Sequence, residues 1–64
     1  MNLDFAESVK KELLNQERNL AWLSRKTKIH YSTLYGIVVQ KTFSASKENA
    51  ALINSALGTS FTND

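Results

Sequence analysis

The segment Leu20–Val38, LAWLSRKTKIHYSTLYGIV, constrains the fold more than any other part of the chain. Leu23, Ile29, Leu34 and Ile37 fall at the spacings that pack two short helices against each other across a tight turn. The turn is expected at Thr27–His30. Lys28 takes the bend, where a left-handed backbone is needed and glycine would be cheaper by about 1 kcal/mol. The pairing leaves Tyr31, Ser32, Tyr35 and Gly36 on the outward face of the second helix. Such a helix-turn-helix presents a rod sized for the major groove of DNA.

The remaining segments extend the same pattern. Asp4 is a good N-cap for a first helix, with Glu7 three residues later as its capping-box partner. Phe5, Val9 and Leu13, with Ala6, form its buried stripe, and Lys10, Lys11 and Glu12 point away. Asn15–Asn19, NQERN, interrupts the apolar pattern, and Asn19 caps a second helix over Leu20–Thr27. There Leu20, Leu23 and Ser24 face inward, and Trp22 is expected as a lid on the core. His30 is expected to cap a third helix from Tyr31 to Val38 or Val39, helped by Ser32 or Thr33. Leu34, Ile37 and Val38 form the buried stripe of that helix. After a loop in which Phe43 turns inward, Ser46 caps a fourth helix, Lys47–Leu57. Ala50, Ile53 and Leu57 line its inner face, with Leu52 and Ala56 beside them. Gly58 stands where a helix C-terminus favours glycine. The expected organisation is a domain over residues 1–58 and a short polar tail, 59–64, that carries Phe61.

Composition supports an all-α reading. The chain has 64 residues, no proline, and glycine only at positions 36 and 58. It lacks the Asn-Gly, Asp-Gly and alternating patterns of hairpins. A chain this short buries only about 60% of its unfolded surface, so its stability is marginal. Without cysteine, neither a disulfide nor a thiolate metal site can brace it. Helix packing or a partner subunit must do so.

Several function classes are disfavoured. His30 is the sole histidine, so no ligand cluster supports a metal site and no cofactor is implied. The carboxylates, Asp4, Glu7, Glu12, Glu17, Glu48 and Asp64, are scattered, and no nucleophile–base pair or glycine-rich phosphate loop accompanies them, so an enzyme is not expected. No apolar run approaches the roughly 18 residues of a membrane span. The start, MNLDFAESVKK, has no basic segment followed by an apolar block, so no secretion signal is read there. A cytoplasmic location is expected, consistent with the lack of cysteine. The net charge of +2 is compatible with a polyanionic partner without requiring one.

The run LSRKTKIHYSTLYGI resembles the helix-turn-helix of the phage Cro and repressor family, the XRE-like proteins, which typically reads LAxKxGVSxSTIxxI. Leu23-Ser24 stand at Leu-Ala, Lys26 at the lysine, Ile29 at the valine, Ser32-Thr33-Leu34 at Ser-Thr-Ile, and Ile37 at the second isoleucine. Leu52–Gly58, LINSALG, is similar to the family's fourth helix and its Ala-Leu-Gly close. The resemblance covers about residues 9 to 58. It implies a compact bundle of four or five helices of the lambda-repressor type. It also implies a regulator of a double-stranded DNA operator whose third helix reads bases while the second lies across the phosphates. Because one such domain gives a small footprint, a homodimer is expected, with third helices about 34 Å apart on a two-fold operator.

Carried over position by position, Tyr31, Ser32, Tyr35 and Gly36 would face the bases. Backbone N–H groups at Asn19 and Leu20 would approach a phosphate, as would Lys41 and Thr42 after the third helix. Lys28 would add neutralising charge, and His30 a structural or phosphate contact. The chain departs from the family at Leu20, where glutamine is usual, and at Lys28 and Gln40, where glycine is usual. The third helix also carries no arginine, glutamine or asparagine on its outer face. The tail around Phe61 is the best dimer candidate, and Trp22 a weaker one. The alternative is a protein-binding module on the same scaffold, an anti-repressor or assembly partner. It would use the Tyr31, Tyr35 and Val39 side as an interface, because tyrosine is a favoured anchor.

Overall fold

A computed structural model describes residues 4–42 and 44–61. Among them are four helices and no strand: α1 (Phe5–Asn15), α2 (Leu20–Thr27), α3 (Tyr31–Val38) and α4 (Lys47–Leu57). The expected inward turn of Phe43 lies outside the described residues. The radius of gyration is 10.3 Å. A folded chain of this length is expected near about 10.7 Å and an unfolded one near about 24 Å, so the bundle is compact. Among the described residues no helix is long and apolar enough to cross a membrane.

Each helix starts where a side chain satisfies its first free amides, with one exception. Asp4 Oδ1 accepts from Glu7 N at 2.7 Å, Asn19 Oδ1 from Trp22 N at 2.9 Å, and Ser46 Oγ from Asn49 N at 3.1 Å. The reciprocal half of the capping box at α1 is replaced, because the Glu7 carboxylate turns to Lys41. The exception is α3. His30 occupies the cap position, but its side chain makes no capping bond, nor does that of Ser32 or Thr33. Only its backbone enters, its carbonyl accepting from Leu34 N at 3.1 Å.

The core draws on every helix. Val9, Leu23, Leu34, Val38 and Ile53 are fully buried, and Phe5, Leu13, Ile29, Ile37, Ala45, Ala50 and Leu57 surround them. α1 and α2 each pack on both α3 and α4. Leu20, Trp22, Ala56 and Phe61 close the margins. Leu52, expected beside the inner face of α4, is 46% exposed. Its position lies about 100° from that of Ile53, enough to turn it out of a narrow stripe.

Polar side chains finish the joints. Gln16 Nε2 donates to the carbonyl of Leu57 at 2.9 Å, tying the end of α1 to an otherwise unsatisfied carbonyl in the last turn of α4. Asn54 holds the chain after Gly58. Its Oδ1 accepts from Thr59 Oγ1 and Phe61 N, and its Nδ2 donates to Phe61 O, at 2.8–2.9 Å. The segment as far as Phe61 is therefore part of the packed unit, although Phe61 stands alone as an apolar residue in a polar stretch.

Candidate nucleic-acid interface

The connection from α2 to α3 is fixed by two hydroxyls. Thr27 is buried; its Oγ1 donates to Leu23 O at 2.7 Å and accepts from Ile29 N at 3.3 Å. Ser24 Oγ donates to Ile29 O at 2.6 Å. Both backbone groups of Ile29 are thus satisfied while its side chain enters the core. Lys28 has φ 63°, the left-handed bend expected of it, and its N–H donates to Ser24 O at 2.8 Å. With so many bonds across so few residues, the orientation of α3 against α2 is built into the turn.

That orientation leaves Tyr31, Ser32 and Tyr35 exposed. The two rings stack, with centroids 6.3 Å apart and planes 26° from parallel. Val39, two turns on from Tyr31, is 38% exposed and extends the same ridge. Gly36 does not belong to this face. It is buried, and its carbonyl accepts from Thr42 N at 2.9 Å and, more weakly, from Thr42 Oγ1 at 3.4 Å. A glycine has no side chain to register in a hydrophobic pattern, so spacing alone placed it outward. It serves the return of the chain and cannot face bases.

The residues expected at phosphates fall into three situations. Lys28 and His30 are exposed at the N-terminal end of α3. Asn19 and Leu20 lie at the start of α2, a helix length (about 12 Å) from the turn. Asn19 Oδ1 is spent on capping and Leu20 packs on the core, which leaves the backbone N–H groups and the Asn19 Nδ2 to offer there. Lys41 and Thr42 are already engaged. Lys41 Nζ lies 2.8 Å from Glu7 Oε1 and 3.3 Å from Asp4 Oδ2, while the Thr42 amide is held by Gly36. Any polyanion contact at Lys41 must compete with two carboxylates. The hydrogen bond to Lys41 draws the Glu7 carboxyl below its ordinary pKa, and the amide of Glu7 does the same for Asp4.

Arg18 and Arg25 stand at no motif position, and Lys26, which stands at the family's lysine, is given no contact by the resemblance; all three are exposed. The Arg18 guanidinium lies 4.1 Å from the centroid of Trp22, a cation–π contact at the start of α2. Among the described residues, neither Arg25, Lys26 nor Lys28 forms an ion pair. A signal for these cations is present in the sequence. Residues 18–47 contain six of the eight lysines and arginines and no carboxylate, while all six carboxylates lie outside that segment. The net charge of +2 averages two unlike regions and conceals the basic one.

No protein-family model matches the chain, nor does any curated protein or solved structure. The chain's own geometry offers a short helix with stacked phenols outward, in a stretch of sequence without carboxylates where Arg25, Lys26 and Lys28 form no ion pair among the described residues and Lys41 alone is held by Asp4 and Glu7.

Proposed function

We propose that this chain is a sequence-specific double-stranded DNA-binding regulator of the Cro and repressor kind. In this reading α2 and α3 are its helix-turn-helix, and α3 enters the major groove. The observation that carries the reading is the coincidence of the exposed face of α3 with the carboxylate-free segment around it. α3 has eight residues, and a helix with its side chains is about 10–12 Å across, against a groove about 12 Å wide. Tyr31, Ser32 and Tyr35 meet base edges, and Arg25, Lys26 and Lys28, with the amides at the start of α2, take the phosphates. A single α3 covers a small footprint, so two copies on a two-fold operator complete the proposal. Phe61, half buried at the edge of a groove it shares with Leu14, is the candidate contact between them.

A second reading keeps the same face and changes the partner. The stacked rings and Val39 form an apolar ridge suited to a protein interface. Titration of the chain against a random-sequence duplex library across a salt series separates the two. A DNA reader loses affinity steeply as salt rises, and Tyr31→Ala and Tyr35→Ala weaken specific binding without unfolding the domain. No binding at low salt, or DNA binding indifferent to both substitutions, sets the DNA reading aside.

A further inference from the structure

The side chains that tell base pairs apart by hydrogen bonding do so with two prongs. Arginine or lysine reads guanine, asparagine or glutamine reads adenine, and a carboxylate accepts from cytosine. The exposed positions of α3 are Tyr31, Ser32 and Tyr35, and none is two-pronged. Each ends in a hydroxyl that donates or accepts as required, so it tolerates every base edge alike. What α3 presents distinctively is apolar: two rings held 6.3 Å apart, continued by Val39. The distinctive apolar feature of the major-groove floor is the 5-methyl group of a pyrimidine. Because the rings already brace each other, little side-chain freedom remains to be lost when they dock.

Resting on the DNA-binding reading above, we propose that Tyr31 and Tyr35 make this protein a reader of pyrimidine 5-methyl groups, with specificity from methyl contact rather than from paired hydrogen bonds. Both thymine and 5-methylcytosine carry that group, so the chemistry is shared and the source is open to test.

The test changes the DNA, so protein folding cannot account for the result. A duplex recovered from the random library is resynthesised with deoxyuridine replacing thymidine at one position at a time, which removes the methyl and nothing else. Affinity is expected to fall about fourfold for each contacted methyl. In Tyr31→Ala and Tyr35→Ala the uracil penalty disappears at the position each ring covers. A third duplex, with a 5-methylcytosine–guanine pair at a sensitive position, identifies the source. Retained affinity means that either base supplies the methyl, and loss restricts the reader to thymine. Equal affinity for the thymine and uracil duplexes overturns the methyl inference and leaves DNA binding standing. Failure of the library to yield any bound duplex overturns both.

Discussion

Lys41 Nζ and Glu7 Oε1 lie 2.8 Å apart across 34 residues of chain, and the contact joins the first turn of α1 to the exit of α3. Its consequence for stability is a pH dependence with a defined sign. The carboxyls of Glu7 and Asp4 lie below their ordinary values of 4.5 and 3.8 in the folded chain. Each therefore contributes stability that is present above those values and lost as pH falls through the lowered ones. Thermal midpoints are expected to hold from neutral pH to about 5 and then decline. Lys41→Met removes the main cause at Glu7 and leaves the amide of Glu7 acting on Asp4, so its acid decline is shallower. The groups are solvent-exposed and the effect is small. Superimposable pH curves for the two proteins would show that the pair is not coupled to folding.

The same contact affects the proposed interface. Glu7→Gln with Asp4→Asn frees the Lys41 ammonium, and asparagine keeps an oxygen to cap α1. DNA affinity is expected to rise, with the slope of log affinity against log salt steepening by about one phosphate contact. An unchanged slope would mean that Lys41 stays away from the backbone even when released.

Leu34 is fully buried where α3 meets the rest of the core, whereas Leu52 is 46% exposed on α4. Leu34→Ala is expected to cost about 3 kcal/mol, against a total stability on the order of 3–10 kcal/mol for a domain of this length. Leu52→Ala should stay within about 0.5 kcal/mol. Urea midpoints compare them directly. Similar losses for both would require α4 to be turned differently about its axis.

How much of this was legible beforehand depended on whether the controlling interaction was local. The caps at Asp4, Asn19 and Ser46, the span of each helix, the left-handed Lys28 and the terminal Gly58 all follow from residues within one turn of each other. The outward Tyr31, Ser32 and Tyr35 follow from the stripe opposite them. Gly36, Gln16 with Leu57, and Glu7 with Lys41 do not, because each depends on a neighbour brought close only by folding. Two further left-handed residues, Glu17 and Lys41, carry no local signal of that conformation. Neither is glycine or asparagine, and the chain accepts the strain to reverse direction after α1 and α3.

Lys28 and Gly58 test the cost of that conformation from both sides. Both are left-handed, at φ 63° and 71°, and a Cβ built on Gly58 meets nothing within 4 Å. Gly58→Ala therefore measures backbone strain without steric conflict, and a loss of about 1 kcal/mol is expected. Lys28→Gly relieves the same strain but adds freedom to the unfolded chain, for a net gain of about 0.5 kcal/mol. The two shifts in unfolding midpoint should have opposite signs. A loss in Lys28→Gly would show that the side chain of Lys28 contributes to the turn.

Asn54 offers the sharpest separation of packing from hydrogen bonding, because one amide makes three bonds to two residues beyond α4. Asn54→Asp keeps acceptors for Thr59 Oγ1 and Phe61 N but loses the donor to Phe61 O. Asn54→Ala loses all three. If these bonds seat Phe61 against the core, destabilisation rises in the order Asn54→Asp, Asn54→Ala, with about 1 kcal/mol for the first and about 2–3 kcal/mol for the second. Phe61→Ala in the Asn54→Ala background should then cost less than in the parent, because residues in one network couple. Strictly additive losses would mean that Phe61 reaches the core without the asparagine, and that the bonds merely follow where the ring has gone.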